Sequence, residues 1–493
     1  MGFANVMKND ANWTKTTNGA DVRSTTGSAV LNLFARIGGM RDADDSEIIR
    51  MWHDARNENS ELADNLVLYA RNIRDGGIGE RRIGRLLLKE LVKVDPNKIR
   101  RNFDTIVNAG RWDDIYCLED SVVWSDVIVF LENQFKEDIV NMAADKPISL
   151  LAKWMPSCNT SSKETRRLAR VLYTSFGLTE RKYRKTLSAL RKYLDIVEKK
   201  MSANQFSAID YEKVPSLAMT RYRSAFGKHD FERFNAYINA VSKGEAKINA
   251  SVLYPYDIVR PYVVQCNDWY RRNVKTPELD SVLEAQWKAL PNYVEGEFDV
   301  LCCVDVSGSM NNPDYQPLSI ATSLGIYFAE RNKGAYNGLL LSYTDEPTIY
   351  NLNSNDTLAT RVGQVNSHVG YNTDMQAMMQ AVFEKAVMCG ETPAALLIIS
   401  DGEIDSYYKR YKGDTIVSYW EEQFRRAGLK FPKLIMWNCH SVGDHYLDDI
   451  GNPNVSFISG ASASTFKELI TLITKDAYTA MTEILTKPAF SWK

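Results

Sequence analysis

Cysteine is sparse and unpaired in this sequence. Seven occur among 493 residues, at positions 117, 158, 266, 302, 303, 389 and 439. The number is odd, the spacings are long and no C-x-x-C pair is present, which argues against a disulfide framework and against a zinc site. Histidine is scarcer still. There are five, none with a Ser or Cys partner at a spacing that suggests a nucleophilic triad. No apolar run approaches the roughly 18 residues that a membrane span needs. The opening MGFANVMKNDANWTK contains no signal-peptide apolar region. Gly2 follows the initiator Met, but Val6 stands where myristoylation requires Ser or Thr. The expectation is a cytoplasmic chain with no membrane partner. An excess of one charge is missing too. Lys plus Arg total 60 and Asp plus Glu total 62, a net charge of −2. A global nucleic-acid signature is thereby excluded, and any basic surface must be local.

What is present is the balance of an ordinary globular protein, 44% hydrophobic and 25% charged. The length exceeds what one hydrophobic core usually serves, so more than one domain is expected. Two grammars divide the chain. Up to about residue 290, apolar residues recur at three- and four-residue spacing. SEIIRMWHDARNE and SELADNLVLYARNIR each start at a plausible Ser N-cap. RRIGRLLLKELVKV stops before Asp95-Pro96, and ERFNAYINAVSKG exits at Gly244. Frequent breaks favour stacked helix pairs, a HEAT-like α-solenoid with diverged repeats, over one compact bundle. After residue 296, apolar strand-like runs alternate with amphipathic helices, ending in a long helix from Ser464. That alternation predicts a mostly parallel, doubly wound (Rossmann-like) α/β sheet covered on both faces. The expected organisation is an N-terminal arm over 1–30, an all-α repeat domain over 31–290 and an α/β domain over 297–487, with PNYVEGE as the linker.

The first strand of the α/β half reads FDVLCCVDVSGSM. Cys302 and Cys303 lie inside it as small hydrophobes. Asp305, Ser307 and Ser309 stand at its carboxyl end, where open parallel sheets bind ligands. Asp401, in LLIISDGEID, ends another strand, and Thr373, in GYNTDMQ, precedes a helix on the same edge. Two carboxylates and three hydroxyls therefore meet on one rim. They are hard oxygen ligands, suited to Mg²⁺ or Mn²⁺. Neutral hydroxyls leave such an ion much of its charge, so an open position would favour an anionic ligand over a metal-activated nucleophile. The bland alternative is that these groups only cap strands and helices. Glu403 and Asp405 are read as solvated loop acids before a second ion site.

The helical half holds a local basic stretch. Between Lys163 and Lys200 there are twelve basic residues and four acids, an excess of eight positive charges. Arg166, Arg167, Arg170, Arg181, Lys182, Arg184, Lys185, Arg191 and Lys192 are the candidate phosphate contacts, with Tyr183 and Tyr193 placed to stack on bases. The competing reading is a solvated helix face. GGIGERR lacks the Lys-Ser/Thr ending of a P-loop and reads as a glycine-marked turn. Trp112 in GRWDDI reads as a buried anchor before a base-stacking residue, with Arg111, Asp113 and Asp114 holding the turn.

The series DxSxS, then Thr 68 residues after Asp305, then Asp 28 residues later, resembles the metal-ion-dependent adhesion site (MIDAS) of von Willebrand factor A domains. Asn372 departs from the Gly often found before the Thr. The resemblance implies metal contact by Ser307, Ser309 and Thr373, and contact through water by Asp305 and Asp401. RDGGIGERR, GRWDDI, LAKWMP and YEKVPSLAMTRY with AFGKHD, in that order before an A domain, resemble the TROVE module of the Ro autoantigen family in its divergent bacterial, phage and plant branch. That resemblance implies a non-catalytic ribonucleoprotein component, a ring of helical repeats closed by the A domain and binding structured or misfolded RNA. A monomer is expected. The alternative is a scaffold whose metal binds an acidic side chain of a partner protein.

Overall fold

The computed structural model describes residues 11–267, 276–406 and 415–493; positions 1–10 of the expected N-terminal arm lie outside them. Its secondary structure is a helix-rich N-terminal region and a C-terminal mixed α/β sheet of Rossmann-like type. Two short strands, β1 (Thr14–Lys15) and β2 (Asp21–Val22), form an antiparallel hairpin near the start.

Among the described residues, helices and the loops between them follow to Lys288. Arg81–Val94 ends at Asp95, whose side chain caps the next helix by accepting from Lys98 N–H at 2.9 Å. The expected Ser caps are displaced. Asp45–Glu58 begins at Asp44, and Ser60–Arg71 begins at Asn59, whose side chain accepts from Leu62 N–H. The shift is one or two residues; Asn59 caps as well as a Ser would, whereas Asp44 makes no side-chain cap bond. The RDGGIGERR turn joins two helices as expected, with Gly76 and Gly79 at φ +94° and +79°, a region glycine enters freely.

Six strands make the main sheet: β3 (Val300–Asp305), β4 (Leu339–Tyr343), β5 (Thr348–Asn351), β6 (Ala395–Ser400), β7 (Lys433–Asn438) and β8 (Val455–Ser459). Their order is β5-β4-β3-β6-β7-β8, parallel throughout except for the edge strand β5. Helices Gln316–Arg331, Met375–Cys389 and Ile416–Arg426 follow β3, β5 and β6. β3 and β6 are buried on both faces, which explains their unbroken apolar runs, and Cys302 and Cys303 are wholly inside. The expected long terminal helix is instead a 3₁₀ turn and two short helices, Leu469–Thr474 and Ala477–Leu485. Asp476 interrupts it by capping the second helix through Thr479 N–H at 2.9 Å.

The chain divides into two compact units. One gathers the residues up to Ile83 with Pro215–Thr220 and Ile248–Phe490. The change of grammar at 291–297 is thus not where compactness divides. The physical reason lies in Ala29–Arg36, which packs on β8: Ser459 donates its hydroxyl to Phe34 O at 3.0 Å and accepts from Gly38 N–H at 3.0 Å. The other unit, Gly84–Val214 with Arg221–Lys247 and Ser491–Lys493, is helical. Phe135, Phe176 and Tyr183 cluster in its core.

Candidate functional site

In the sheet, β3 leads to β4 on one side and β6 lies on the other, so the topological switch falls beside β3. Crevices at such points, beyond the carboxyl ends of the strands, are where open α/β sheets bind ligands. Asp305 ends β3 and Asp401 follows β6, so both sit at this crevice.

Asp305 is fully buried. Its Oδ1 accepts from Ser307 N–H at 2.9 Å and its Oδ2 from the Ser400 hydroxyl at 2.6 Å. Burial, reinforced by the Asp401 charge, pushes its pKa up to about 7. The Ser307 and Ser309 hydroxyl oxygens are 3.2 Å apart. Asp401 accepts from Glu403 N–H through Oδ1 at 3.0 Å. Burial raises its pKa above the usual carboxylate range, and the Glu403 N–H and the nearby Ser309 hydroxyl oppose the rise. Burial likewise lowers the His440 pKa, against the pull of Asp401.

Thr373 arrives on a loop laid against the serine turn. Gly370 N–H donates to Val306 O at 3.3 Å, and a Cβ on Gly308 would lie 3.4 Å from Tyr371 O. The Asn372 carbonyl, in the place where the A-domain pattern has glycine, accepts from the Thr344 hydroxyl at 3.0 Å, so the turn is held without it. Gly370 is required here by close approach: a Cβ would lie 2.0 Å from Thr344 Oγ1.

Two atoms of this rim test whether the residues fit a cation. Thr373 Oγ1 and Asp401 Oδ2 are buried and lack a hydrogen-bond partner among the described residues. Buried polar atoms of this kind are costly unless something satisfies them. Oxygen atoms of this kind are what a hard divalent ion would take as ligands. Among the described residues no three His, Cys, Asp or Glu side chains gather to hold a metal; a set built on hydroxyls does not require such a group.

The structure corrects the reading of two acids. Glu403 is not a solvated loop acid: it is buried, and its Oε2 accepts from Thr17 N–H at 2.7 Å. Asp405 is half-buried and accepts from Thr373 N–H at 3.0 Å. The β1–β2 hairpin supplies further bonds, from the Thr16 hydroxyl to Ile404 O at 2.6 Å and from Asn18 Nδ2 to Glu403 O at 3.1 Å. Sequence reading missed Ser400 and the hairpin, and it named Asp405 without its bond to Thr373. The serine that closes LLIIS was a legible signal; the hairpin contact spans more than 380 residues and was not.

In the helical unit, Arg166, Arg167, Arg170, Arg181, Lys182, Arg184, Lys185 and Lys192 are exposed. Arg167 is neutralised by Glu119 and Glu164, at 2.7 and 2.5 Å, and Arg184 lies 3.6 Å from Glu180. Arg191 is half-buried and structural, donating to Ala152 O, Met155 O and Ser157 Oγ at 2.8, 2.6 and 2.7 Å. Tyr183 cannot stack on a base. It is fully buried, and its hydroxyl donates to Pro156 O at 2.8 Å. Tyr193 is exposed, its hydroxyl tied to Asp145 and to Lys146 O. Trp112 is half-buried, not buried as expected; it stacks on Phe130, and Arg111 N–H donates to Asp114 Oδ2 at 2.8 Å, which holds the GRWDDI turn. Ser367 and His368 do pair, at 2.8 Å, but both are exposed and the serine donates to Gln364 O.

The family model described as "Domain of unknown function (DUF2828)" matches residues 172–296, and that described as "Domain of unknown function (DUF7788)" matches 299–484. The chain is 27% identical over 500 residues to "Uncharacterized protein L728" of Acanthamoeba polyphaga mimivirus, covering 93% of this chain and 84% of that one. It is also similar to the crystal structure of the Deinococcus radiodurans RO (RSR) protein, with 14% identity, a TM-score of 0.36 and 92% of each chain covered.

Proposed function

We propose that this chain is a non-catalytic RNA-binding protein of Ro type, whose helical repeats bind structured RNA and whose sheet carries one Mg²⁺ or Mn²⁺. The observation that supports it most is the joining of two features in one chain. A hydroxyl-and-carboxylate rim contains two buried oxygens, and a separate helical unit displays Arg166, Arg170, Arg181, Lys182, Lys185 and Lys192; among the described residues the oxygens have no hydrogen-bond partner and the cations no acid partner. In this reading Ser307, Ser309 and Thr373 hold the ion directly, and Asp305 and Asp401 hold it from behind. The ion supplies a positive charge with a place for an acidic group. Phosphate contact by exposed Lys and Arg is sequence-independent and steeply salt-dependent, and duplex RNA is recognised mainly by shape and backbone.

Filter binding with a structured RNA hairpin at two salt concentrations tests the reading. Binding that weakens steeply with salt, and again on neutralising Arg181, Lys182, Arg184 and Lys185, is the expected result. Absence of RNA binding at low salt overturns it. Recovery of a protein partner without RNA, lost in Asp305→Ala, would favour the scaffold in its place.

A further inference from the structure

Helix Glu180–Tyr193, the loop Ser157–Asn159 and Lys199 enclose a cleft of about 660 Å³. Five of its lining side chains are cationic: Arg181, Arg184, Lys185, Arg191 and Lys199. Among the described residues no acid and no aromatic ring lines it. Arg191 is committed to the loop it holds, and Lys199 Nζ donates to Ser188 O and Oγ at 2.8 and 2.9 Å. Arg184 has Glu180 at 3.6 Å. Arg181 and Lys185 are exposed and have no ion pair among the described residues. They stand four apart on one helix face with Arg184 between them, an arrangement that costs stability through like-charge repulsion. A solvated face spreads its charge over a convex surface; here the charge converges on a hollow.

The chemistry of the lining names the ligand class. Arg forks match phosphate oxygens in pairs. Without a ring there is nothing for a base to stack on. Several cations with no acid among them call for more than one negative charge. We propose that this cleft binds a cluster of adjacent phosphates and reads neither base nor sugar. The RNA-binding reading supplies only the source of those phosphates, which is either consecutive backbone groups or a terminal triphosphate.

The test uses the full chain and inorganic tripolyphosphate in calorimetry at low salt. Arg181→Glu with Lys185→Glu is the test variant, with Lys228→Glu and Lys243→Glu as a control pair, exposed in the same unit and outside the cleft. Circular dichroism checks that each pair folds. The proposal expects one tripolyphosphate per chain and a loss of affinity of about tenfold or more in the test pair only. No binding, or an equal loss in the control pair, overturns it. Hairpin RNAs with a 5′-triphosphate and with a 5′-hydroxyl separate the sources: a preference for the triphosphate assigns the end, and equal competition assigns the backbone. Tripolyphosphate binding without any RNA binding would keep the cleft and sink the RNA reading. RNA binding indifferent to the test pair, with no tripolyphosphate binding, would do the reverse.

Discussion

Thr373 and Asp405 exchange two hydrogen bonds: Thr373 N–H donates to Asp405 Oδ2 at 3.0 Å, and Asp405 N–H donates to Thr373 O at 3.0 Å. The loop that carries one candidate ligand is thereby fastened to the loop that carries Asp401. Outer partners of this sort set the position of groups that touch a metal. Asp405→Ala should weaken Mn²⁺ binding by about tenfold, although Asp405 is not among the candidate ligands. Asp405→Asn, which keeps an acceptor oxygen, should restore part of it. Titration followed by electron paramagnetic resonance reads both, and equal affinity in all three proteins would show that the pair does not position Thr373.

Asp305 makes the metal-free protein sensitive to pH. Its pKa in the folded chain, about 7, stands above the 3.8 of an ordinary aspartate. A raised carboxyl pKa contributes stability that is complete below the unfolded value and is lost as pH rises through the folded one. With chelator present, urea stability should fall by a few kcal/mol between about pH 4 and pH 7 through this group. Millimolar Mg²⁺ should remove most of that fall, because a cation stabilises the charged form. The same slope with and without Mg²⁺ would exclude a cation beside Asp305.

Gly370→Ala places a methyl group 2.0 Å from Thr344 Oγ1 and 2.7 Å from Asp345 Oδ2. Overpacking of this order costs about 1–3 kcal/mol. The expected result is a lower melting temperature together with weaker Mn²⁺ binding, since the Thr373 loop must move. Alanine at the exposed Lys430, on the same unit, is the neutral comparison.

The hairpin near the start of the chain steadies the Asp401 loop. Thr16→Val removes the hydroxyl that donates to Ile404 O and accepts from Ala20 N–H. Leaving a buried carbonyl unpaired costs about 1–3 kcal/mol. Hydrogen exchange should quicken over residues 401–405, and Mn²⁺ should slow it again. Exchange unchanged in Thr16→Val would mean that the loop stands without the hairpin.

Tyr183→Phe separates a core role from base stacking. Losing the bond to Pro156 O should cost about 1 kcal/mol of stability and leave RNA affinity unchanged once the protein is folded. A stacking residue would lose affinity instead.

Much of the α/β half was legible in its residues. Strands buried on both faces must be apolar throughout, so FDVLCCVDV and AALLIIS announced themselves, and the polar group after each marked the sheet edge. Helix ends were legible to within a turn because caps act locally, as at Asp95. The basic stretch was legible as a charge excess. Its sorting into free and committed residues was not, since Arg167 and Arg191 are decided by Glu119 and by carbonyls of another segment.

By itself the sequence determined which residue types meet at the end of β3, because spacing and hydrophobicity are properties of the chain alone. Only the tertiary structure decided that Thr373 Oγ1 and Asp401 Oδ2 remain without partners among the described residues and that Glu403 is sealed beneath Thr17. It also decided that Tyr183 points into a core. Partnering and burial depend on groups brought from distant parts of the chain, and no local pattern records which of them arrive.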